Sequence, residues 1–249
     1  MFKKFANPRL LPIILFATCL AWTPALIGQE ETDDPYESRR DRLVDSLTES
    51  GFGKKGIEDE NVLEAMRATP RHKFVPDRLV TQAYRDTPLP IGHGQTISQP
   101  YIVAYMTDML DVDEDDVVLE IGTGSGYQAA VLSEIVKEVY TIEIIEPLGE
   151  QAKKVFDELG YDNIHAKIGD GYFGWEDHAP YDGIIVTAAA SHVPPPLVEQ
   201  LKPGAKMVIP VGPPFQVQNL MLVEKNEDGT VRQRNVMPVR FVPLTRGEE

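Results

Sequence analysis

The amino-acid sequence predicts an α/β protein: a mostly parallel, doubly wound sheet of the Rossmann-like kind, with helices ahead of it and an antiparallel hairpin behind it. Three observations carry that expectation. From Asp116 onward short apolar runs alternate with helical patterns, and successive β-α-β units build an open parallel sheet. The first run, Val117 to Ile121, is nearly continuous in apolar residues, as a strand covered on both faces must be. It leads straight into a glycine-rich loop, Gly122-Thr123-Gly124-Ser125-Gly126, which opens a helix.

Taken in order, residues 1–28 stand apart from the rest. Lys3, Lys4 and Arg9 are their only charges, an apolar run extends from Leu10 to Ala21, and Thr23, Pro24, Ala25 and Gly28 follow. A basic head, a short apolar core and small residues make a secretory signal peptide, the core falling short of the ~20 residues a membrane-spanning helix needs. Cleavage after Ala25 and cleavage after Gly28 are both compatible with the pattern, and an uncleaved anchor from Leu10 to Ile27 is the alternative. The single cysteine, Cys19, lies inside this leader behind Thr18, a poor context for lipidation. One cysteine builds neither a disulfide framework nor a cysteine zinc site. The mature chain is therefore expected to be periplasmic or secreted, without a membrane span, and a cytoplasmic chain is the other possibility. Residues 29–37, QEETDDPYE, read as a disordered acidic lead-in, leaving 38–249 as one domain.

Within that domain Arg39 to Thr48 carries Leu43, Val44 and Leu47 at helical spacing, and a second helix is expected from Ile57 to Ala68, stopped by Pro70. Residues 85–100 are rich in Gly, Pro, Thr, Ser and Gln and read as a long loop; long ordered loops usually serve function. Beyond the first sheet strand come a helix from Ser125 to Val136, a strand from Val139 to Ile144, and a helix from Pro147 to Leu159 with proline in its first turn. Ile164 to Ile168, Gly183 to Val186 and Lys206 to Val211 supply three more strands. Leu197 to Leu201 ends a short helix, and Lys202-Pro203-Gly204 turns out of it. Residues 219–224 and 231–242 form a hairpin around Asp228-Gly229.

Composition narrows the function. With 249 residues, 42% hydrophobic and 25% charged, the chain is globular, which excludes wholesale disorder, collagen-like repetition and a polytopic membrane protein. Lys plus Arg number 24 against 39 Asp plus Glu, for a net charge of −15. Such a chain is ill suited to nucleic acid, whose affinity rests on cations neutralising phosphates. His72, His165, His178 and His192 show no metal-ligand spacing, and no metal is expected.

The glycine loop points to the cofactor. A dinucleotide fingerprint, G-x-G-x-x-G, would need glycine where Tyr127 stands. The spacing G-x-G-x-G is instead that of S-adenosylmethionine (SAM) sites, where no pyrophosphate has to rest on the helix N-terminus. Glu143 follows Gly122 by 21 residues, at the end of the second strand, where an acid accepts hydrogen bonds from ribose hydroxyls. Gly169-Asp170-Gly171, after the third strand, brings a further carboxylate to the same edge.

With the loop before the sheet added, the chain resembles the protein-L-isoaspartate (D-aspartate) O-methyltransferases. The matching segments are ATPRHKFVP at 68–76, LPIGHGQTISQP at 89–100, VLEIGTGSGYQAA at 118–130, GDG at 169–171, PYDGIIVTAA at 180–189, LKPGAKMVIPVG at 201–212 and RFVPL at 240–244. The resemblance implies the Rossmann-like class I SAM-dependent methyltransferase fold. It implies transfer of a methyl group to the free α-carboxylate of isoaspartyl and D-aspartyl residues in damaged proteins, the first step of their repair. The partners are then isoaspartyl-containing proteins and peptides, met by a monomer. The resemblance carries the active-site serine onto Ser98, with Thr96 and Ile97 lining the acceptor pocket. Gly122, Thr123, Gly124, Ser125, Gly126, Glu143, Asp170 and Gly171 carry over as cofactor contacts, and Thr245 as a residue closing over the cofactor.

The residue types suit that chemistry. A carboxylate, with a reference pKa near ~4, is already ionised at neutral pH and needs no general base. Accordingly the sequence offers no Ser-His-Asp or paired-carboxylate constellation. His93 is expected in a solvated loop and Asp182 to order a strand start, while Trp175 suits either the adenine side or the sheet surface. Three other functions compete: methylation of another acceptor, nicotinamide-dependent oxidoreduction, which Tyr127 opposes, and a catalytically silent exported binder. The family works in the cytosol, where SAM is made, and the leader departs from that pattern.

Overall fold

The computed structural model describes residues 34–50 and 55–247. The leader expected at 1–28, with Cys19, and residues 29–33 of the lead-in lie outside the described residues. By its contacts the chain divides into Met1–Asp34 and Pro35–Glu249, and every element belongs to the second unit. The end of the expected lead-in is ordered: Pro35 and Tyr36 form a turn, and the Tyr36 ring stacks on His72 with centroids 4.4 Å apart.

Helix α1 (Glu37–Leu47) buries Leu43, Val44 and Leu47, as its spacing requires. Helix α2 (Glu60–Ala68) starts three residues later than the apolar pattern suggests. The Asp59 carboxylate accepts from the amides of Asn61 (2.8 Å) and Val62 (3.4 Å), and that cap sets the boundary. Two 3-10 turns, Arg71–Phe74 and Asp77–Gln82, follow.

Residues 85–100 are not a plain loop. They contain an antiparallel hairpin of β1 (Leu89–Gly92) and β2 (Gln95–Ile97), with Leu89 opposite Ile97. Its tip, Gly92-His93-Gly94, has positive φ at all three positions, which the two glycines make accessible. Next comes α3 (Pro100–Leu110), which periodicity did not reveal. Its buried residues, among them Tyr101, Val103, Ala104, Met106 and Leu110, go nearly all the way round, so no apolar stripe stands out.

The sheet comprises β3 (Val117–Ile121), β4 (Glu138–Glu143), β5 (Ile164–Ile168), β6 (Tyr181–Val186), β7 (Leu201–Val211), β8 (Gln218–Lys225) and β9 (Val231–Val239), in the order β5-β4-β3-β6-β7-β8-β9. The first five run parallel, while β8 and β9 add the antiparallel hairpin. Between them lie α4 (Tyr127–Ser133), α5 (Glu146–Leu159), closed by Gly160 at φ 77°, and α6 (Pro195–Glu199). Lys202-Pro203-Gly204 is a bulge inside β7 rather than a turn before it. Leu201 pairs with Tyr181, and pairing resumes at Lys206 opposite Gly183. The bulge lets Lys202 Nζ reach both Asp182 oxygens, at 2.6 and 2.7 Å, while Asp182 accepts from the Val117 amide at 2.9 Å. Asp182 thus aligns the starts of β3 and β6.

The two sheet faces are covered unequally. Val118, Val139, Ile185 and Val208 pack beneath α1–α5. Leu119, Ile121, Ile142, Ile184 and Met207 face the other way, towards α6 and a layer of aromatic residues. There the Trp175 ring meets Tyr140 edge-on at 5.4 Å, so Trp175 covers the sheet.

Candidate active site

The C-terminal ends of β3, β4 and β6 open into one crevice of about 720 Å³, including the part open to solvent. It lies where the strand order reverses, with β4 and β5 on one side of β3 and β6 and β7 on the other. That switch point is where open α/β sheets bind ligands.

The glycine loop forms one wall. Gly122 and Gly126 have φ of 98° and 90°, in the region that L side chains avoid. A Cβ on Gly122 would stand 2.5 Å from Thr187 Oγ1, and one on Gly126 2.6 Å from the Phe156 ring. The loop is pinned from β6, where the Thr187 hydroxyl donates to the Gly122 carbonyl at 2.6 Å.

Glu143, at the end of β4, is buried and grips the loop. Its Oε2 accepts from the Gly124 amide at 2.7 Å and its Oε1 from the Ile145 amide at 2.9 Å. An ionised carboxylate has about four acceptor sites, so two remain for a ligand's hydroxyls.

Glu120 is a site residue that sequence reasoning passed over as part of a strand. It is fully buried and lines the crevice. Oε2 accepts from the Thr141 hydroxyl at 2.5 Å, and Thr141 Oγ1 is 2.6 Å from Thr123 Oγ1. Oε1 has no partner. Burial pushes the Glu120 carboxyl up to about 8; the Thr141 hydrogen bond opposes that rise, and the Glu143 charge adds to it. A carboxyl in the middle of an otherwise apolar buried strand was the signal available in the sequence.

The acceptor side is formed by the β2 segment and the residues after it. Thr96, Ile97 and Ser98 all line the crevice, opposite the glycine loop. The C-terminal tail supplies the remaining wall through Pro243, Leu244 and Thr245. The Leu244 amide donates to the Ala189 carbonyl at 2.8 Å, laying the tail beside the end of β6.

The crevice therefore brings together Thr96, Ile97, Ser98, Gly122, Thr123, Gly124, Ser125, Glu143, Gly171 and Thr245. Gly126 packs behind the loop as the residue preceding α4. Asp170 faces elsewhere: its carboxylate accepts from the Tyr172 amide (3.0 Å), Arg246 Nε (2.9 Å) and the Gly247 amide (3.1 Å). Partial burial opposes the Asp170 charge, but the Arg246 hydrogen bond and charge and the two amides outweigh it and hold its carboxyl below the usual range. The Arg246 guanidinium also lies 3.8 Å from the centre of the Tyr172 ring. Asp170 thereby anchors the tail that carries Thr245. His93 is exposed at the hairpin tip, away from the crevice lining. Among the described residues no group of His, Cys, Asp or Glu is arranged to hold a metal, and no helix is long and apolar enough to cross a membrane.

The residues present fit SAM. The loop is a cradle that side chains would fill, Glu143 offers free acceptor sites, and the orphaned Glu120 oxygen awaits a cation. Fold and site together define a Rossmann-like class I SAM-dependent methyltransferase.

The sequence profile of the protein-L-isoaspartate(D-aspartate) O-methyltransferase (PCMT) family matches residues 38–249, and the chain belongs to that family. It is 57% identical over 221 residues to the protein-L-isoaspartate O-methyltransferase 2 of Syntrophobacter fumaroxidans, covering 86% of this chain and 89% of that one. It is 54% identical over 244 residues to the protein-L-isoaspartate O-methyltransferase 1 of Cupriavidus necator, covering 97% and 94%. Among solved structures, a protein-L-isoaspartate O-methyltransferase superposes with a TM-score of 0.72 at 28% identity. That match covers 83% of this chain and 65% of the other, just under two thirds of its length.

Proposed function

We propose that this chain methylates the free α-carboxylate of isoaspartyl and D-aspartyl residues, with SAM as donor, and that Ser98 holds the acceptor. The observation that carries the reading is the placement of Ser98 across one crevice from a glycine loop built for a nucleoside without a pyrophosphate.

The cofactor supplies a methyl group on a positively charged sulfur; everything else falls to the chain. Gly122 to Gly126 would let the backbone approach the cofactor, Glu143 would accept from its hydroxyls, and Glu120 would offer its unpartnered oxygen to a cationic group. Thr245 and Leu244 close the crevice, held by the Asp170–Arg246 pair. The Ser98 hydroxyl donates to one acceptor oxygen, leaving the other free to attack. Thr96 and Ile97 flank it. No side chain moves a proton, because the acceptor is already an anion. Ile97, Val103, Ile121, Ile142, Ala188 and Leu244 present apolar surface to the crevice. Excluding water raises the rate because transfer cancels two charges that water would stabilise in the reactants. Alignment of the two partners supplies most of the remaining acceleration.

The acceptor belongs to a polypeptide, which must leave the crevice beside Ser98. A second groove begins there: it shares Thr96 and Ser98 and continues over Tyr101, Ile102, Val217, Met237, Val239 and Phe241. We assign it to the chain flanking the damaged residue, bound extended, with apolar neighbours favoured.

The test uses methyl-labelled SAM and two peptides that differ only in aspartyl or isoaspartyl linkage. Base-labile label on the isoaspartyl peptide alone supports the reading; label on neither, with adenosylhomocysteine still bound, refutes it. We further infer export, on the strength of the basic head, apolar core and small residues within 1–28. N-terminal sequencing of the mature protein checks this, and an intact Met1 would count against it.

A further inference from the structure

Arg71 has the largest side chain among those fully buried, with no exposed surface. Burying a guanidinium is unfavourable unless its donors are well matched, and an apolar side chain of similar volume commonly serves a core as well. Its contacts say what it does instead. Nη2 donates to the main-chain carbonyl of Ser98 at 2.7 Å, and Nε donates to the carbonyl of Ala83 at 2.9 Å. Cζ lies 4.6 Å from the centre of the ring of Tyr127, the first residue of α4 after the glycine loop. Burial lowers its pKa to about 10, with Tyr127, Asp86 and Tyr84 opposing, so it remains a cation at neutral pH. One buried cation therefore touches both halves of the site. Asp86 holds the same segment by other groups: Oδ2 accepts from Gln99 Nε2 at 2.9 Å and Oδ1 from the Tyr101 amide at 2.8 Å.

We propose that Arg71 is a positioning residue for methyl transfer: it fixes Ser98 relative to the glycine loop and sets a positive charge behind the point where the acceptor carboxylate docks. The proposal rests on Ser98 being the acceptor contact. Guanidinium is the group for the task, because a fork of donors fixes two carbonyls at once while its face stacks on an aromatic ring. A lysine ammonium keeps the charge but cannot keep that geometry.

The test compares Arg71→Lys, Arg71→Gln and Ser98→Ala in the full chain. Three quantities are measured: the Kd for adenosylhomocysteine, kcat and KM on an isoaspartyl peptide, and the urea midpoint. For Arg71→Gln the expected result is a kcat/KM for the peptide lowered about thirtyfold or more, with the adenosylhomocysteine Kd within threefold of wild type. Arg71→Lys should recover part of the loss, as charge without the fork would. A loss of stability alone, with kcat/KM of the folded enzyme unchanged, would overturn the proposal. So would failure of both variants to bind adenosylhomocysteine, which would mark Arg71 as a determinant of the fold. If Ser98→Ala leaves transfer intact, the acceptor assignment fails and the proposal with it. If Ser98→Ala cripples transfer and the Arg71 variants do not, the proposal fails alone.

Discussion

Glu120 offers a way to read cofactor binding through protons. Full burial pushes its carboxyl up to about 8, against 4.5 for an ordinary glutamate. At pH 7 the protonated form therefore predominates. A cation placed against the unpartnered Oε1 favours the carboxylate, so binding at pH 7 should release a proton. The sign for affinity follows. Below about pH 8 the proton must be removed before the ion pair forms, so binding weakens as pH falls, by up to about tenfold per pH unit, and levels off at higher pH. Stability of the empty protein runs the other way. Between 4.5 and 8 the unfolded chain has lost a proton that the folded chain keeps, so this group makes stability fall as pH rises through that window.

Glu120→Gln fixes the neutral state in nearly the same shape. It should abolish the proton release, flatten affinity between pH 6 and 8, and remove the fall of stability with rising pH, leaving the variant the more stable protein at pH 7, because the wild-type unfolded chain gains by ionising this group and the glutamine chain does not. Titration calorimetry with adenosylhomocysteine, in two buffers of different ionisation enthalpy, measures the released proton directly. A wild-type enthalpy independent of buffer at pH 7, with affinity flat from pH 6 to 8, would refute the reasoning.

Three further outcomes are expected. Ser98→Ala removes one hydrogen bond to a charged acceptor, ~1.5–3 kcal/mol, so kcat/KM for the peptide should fall roughly 10- to 150-fold with adenosylhomocysteine affinity unchanged; a loss shared equally by both would count against the assignment. Gly126→Ala sets a Cβ 2.6 Å from Phe156 at φ 90°, so urea unfolding should show about 2–5 kcal/mol of destabilisation, and an unperturbed midpoint would contradict the packing. Phe215 is 89% exposed at φ 59°, two residues before Val217 of the groove, and we assign it to the acceptor's apolar neighbours. Phe215→Ser should raise KM about fivefold for peptides with apolar flanks, at ~1 kcal/mol for a partly buried ring, and leave stability and KM for SAM unaltered; equal effects on polar-flanked peptides would remove it from the groove.

The parallel half of the fold was legible because local and global signals coincide there. Val117 to Ile121 is apolar because both faces are covered, and the glycine loop must follow it for a ligand to approach the backbone. The losses occurred where long-range contacts decide. The hairpin at 89–97 hides in a segment rich in turn residues, and its register comes from tertiary pairing of Leu89 with Ile97. The bulge at Lys202-Pro203-Gly204 looks like a turn until Asp182 is seen to hold Lys202. Within the site, the glycine loop and Glu143 could be read from motifs and spacing, while residues 96–98 came only through the family resemblance. Asp170's partner lies 76 residues away, at Arg246, and Arg71's lies 27 away, at Ser98. No pattern in one sequence announces either pair.

The two buried ionisable groups show how the site handles opposite charges. Methyl transfer joins a cation to an anion, and on the proposed reading each reactant would meet a buried group of the opposite sign: Glu120, which lines the crevice, and Arg71, which holds the Ser98 carbonyl. Their surroundings differ because their chemistry does. A carboxyl can discharge, so Glu120 is held as a neutral acid with one oxygen open, and no unpaired charge is stranded there. A guanidinium cannot discharge at neutral pH, so Arg71 keeps its charge against two carbonyls and an aromatic face, with Nη1 left without a hydrogen-bond partner. The acid is therefore the group whose state changes when the cofactor arrives, while the guanidinium is the fixed frame against which the acceptor is set. On this account cofactor affinity follows pH between 6 and 8, and acceptor docking at saturating cofactor does not.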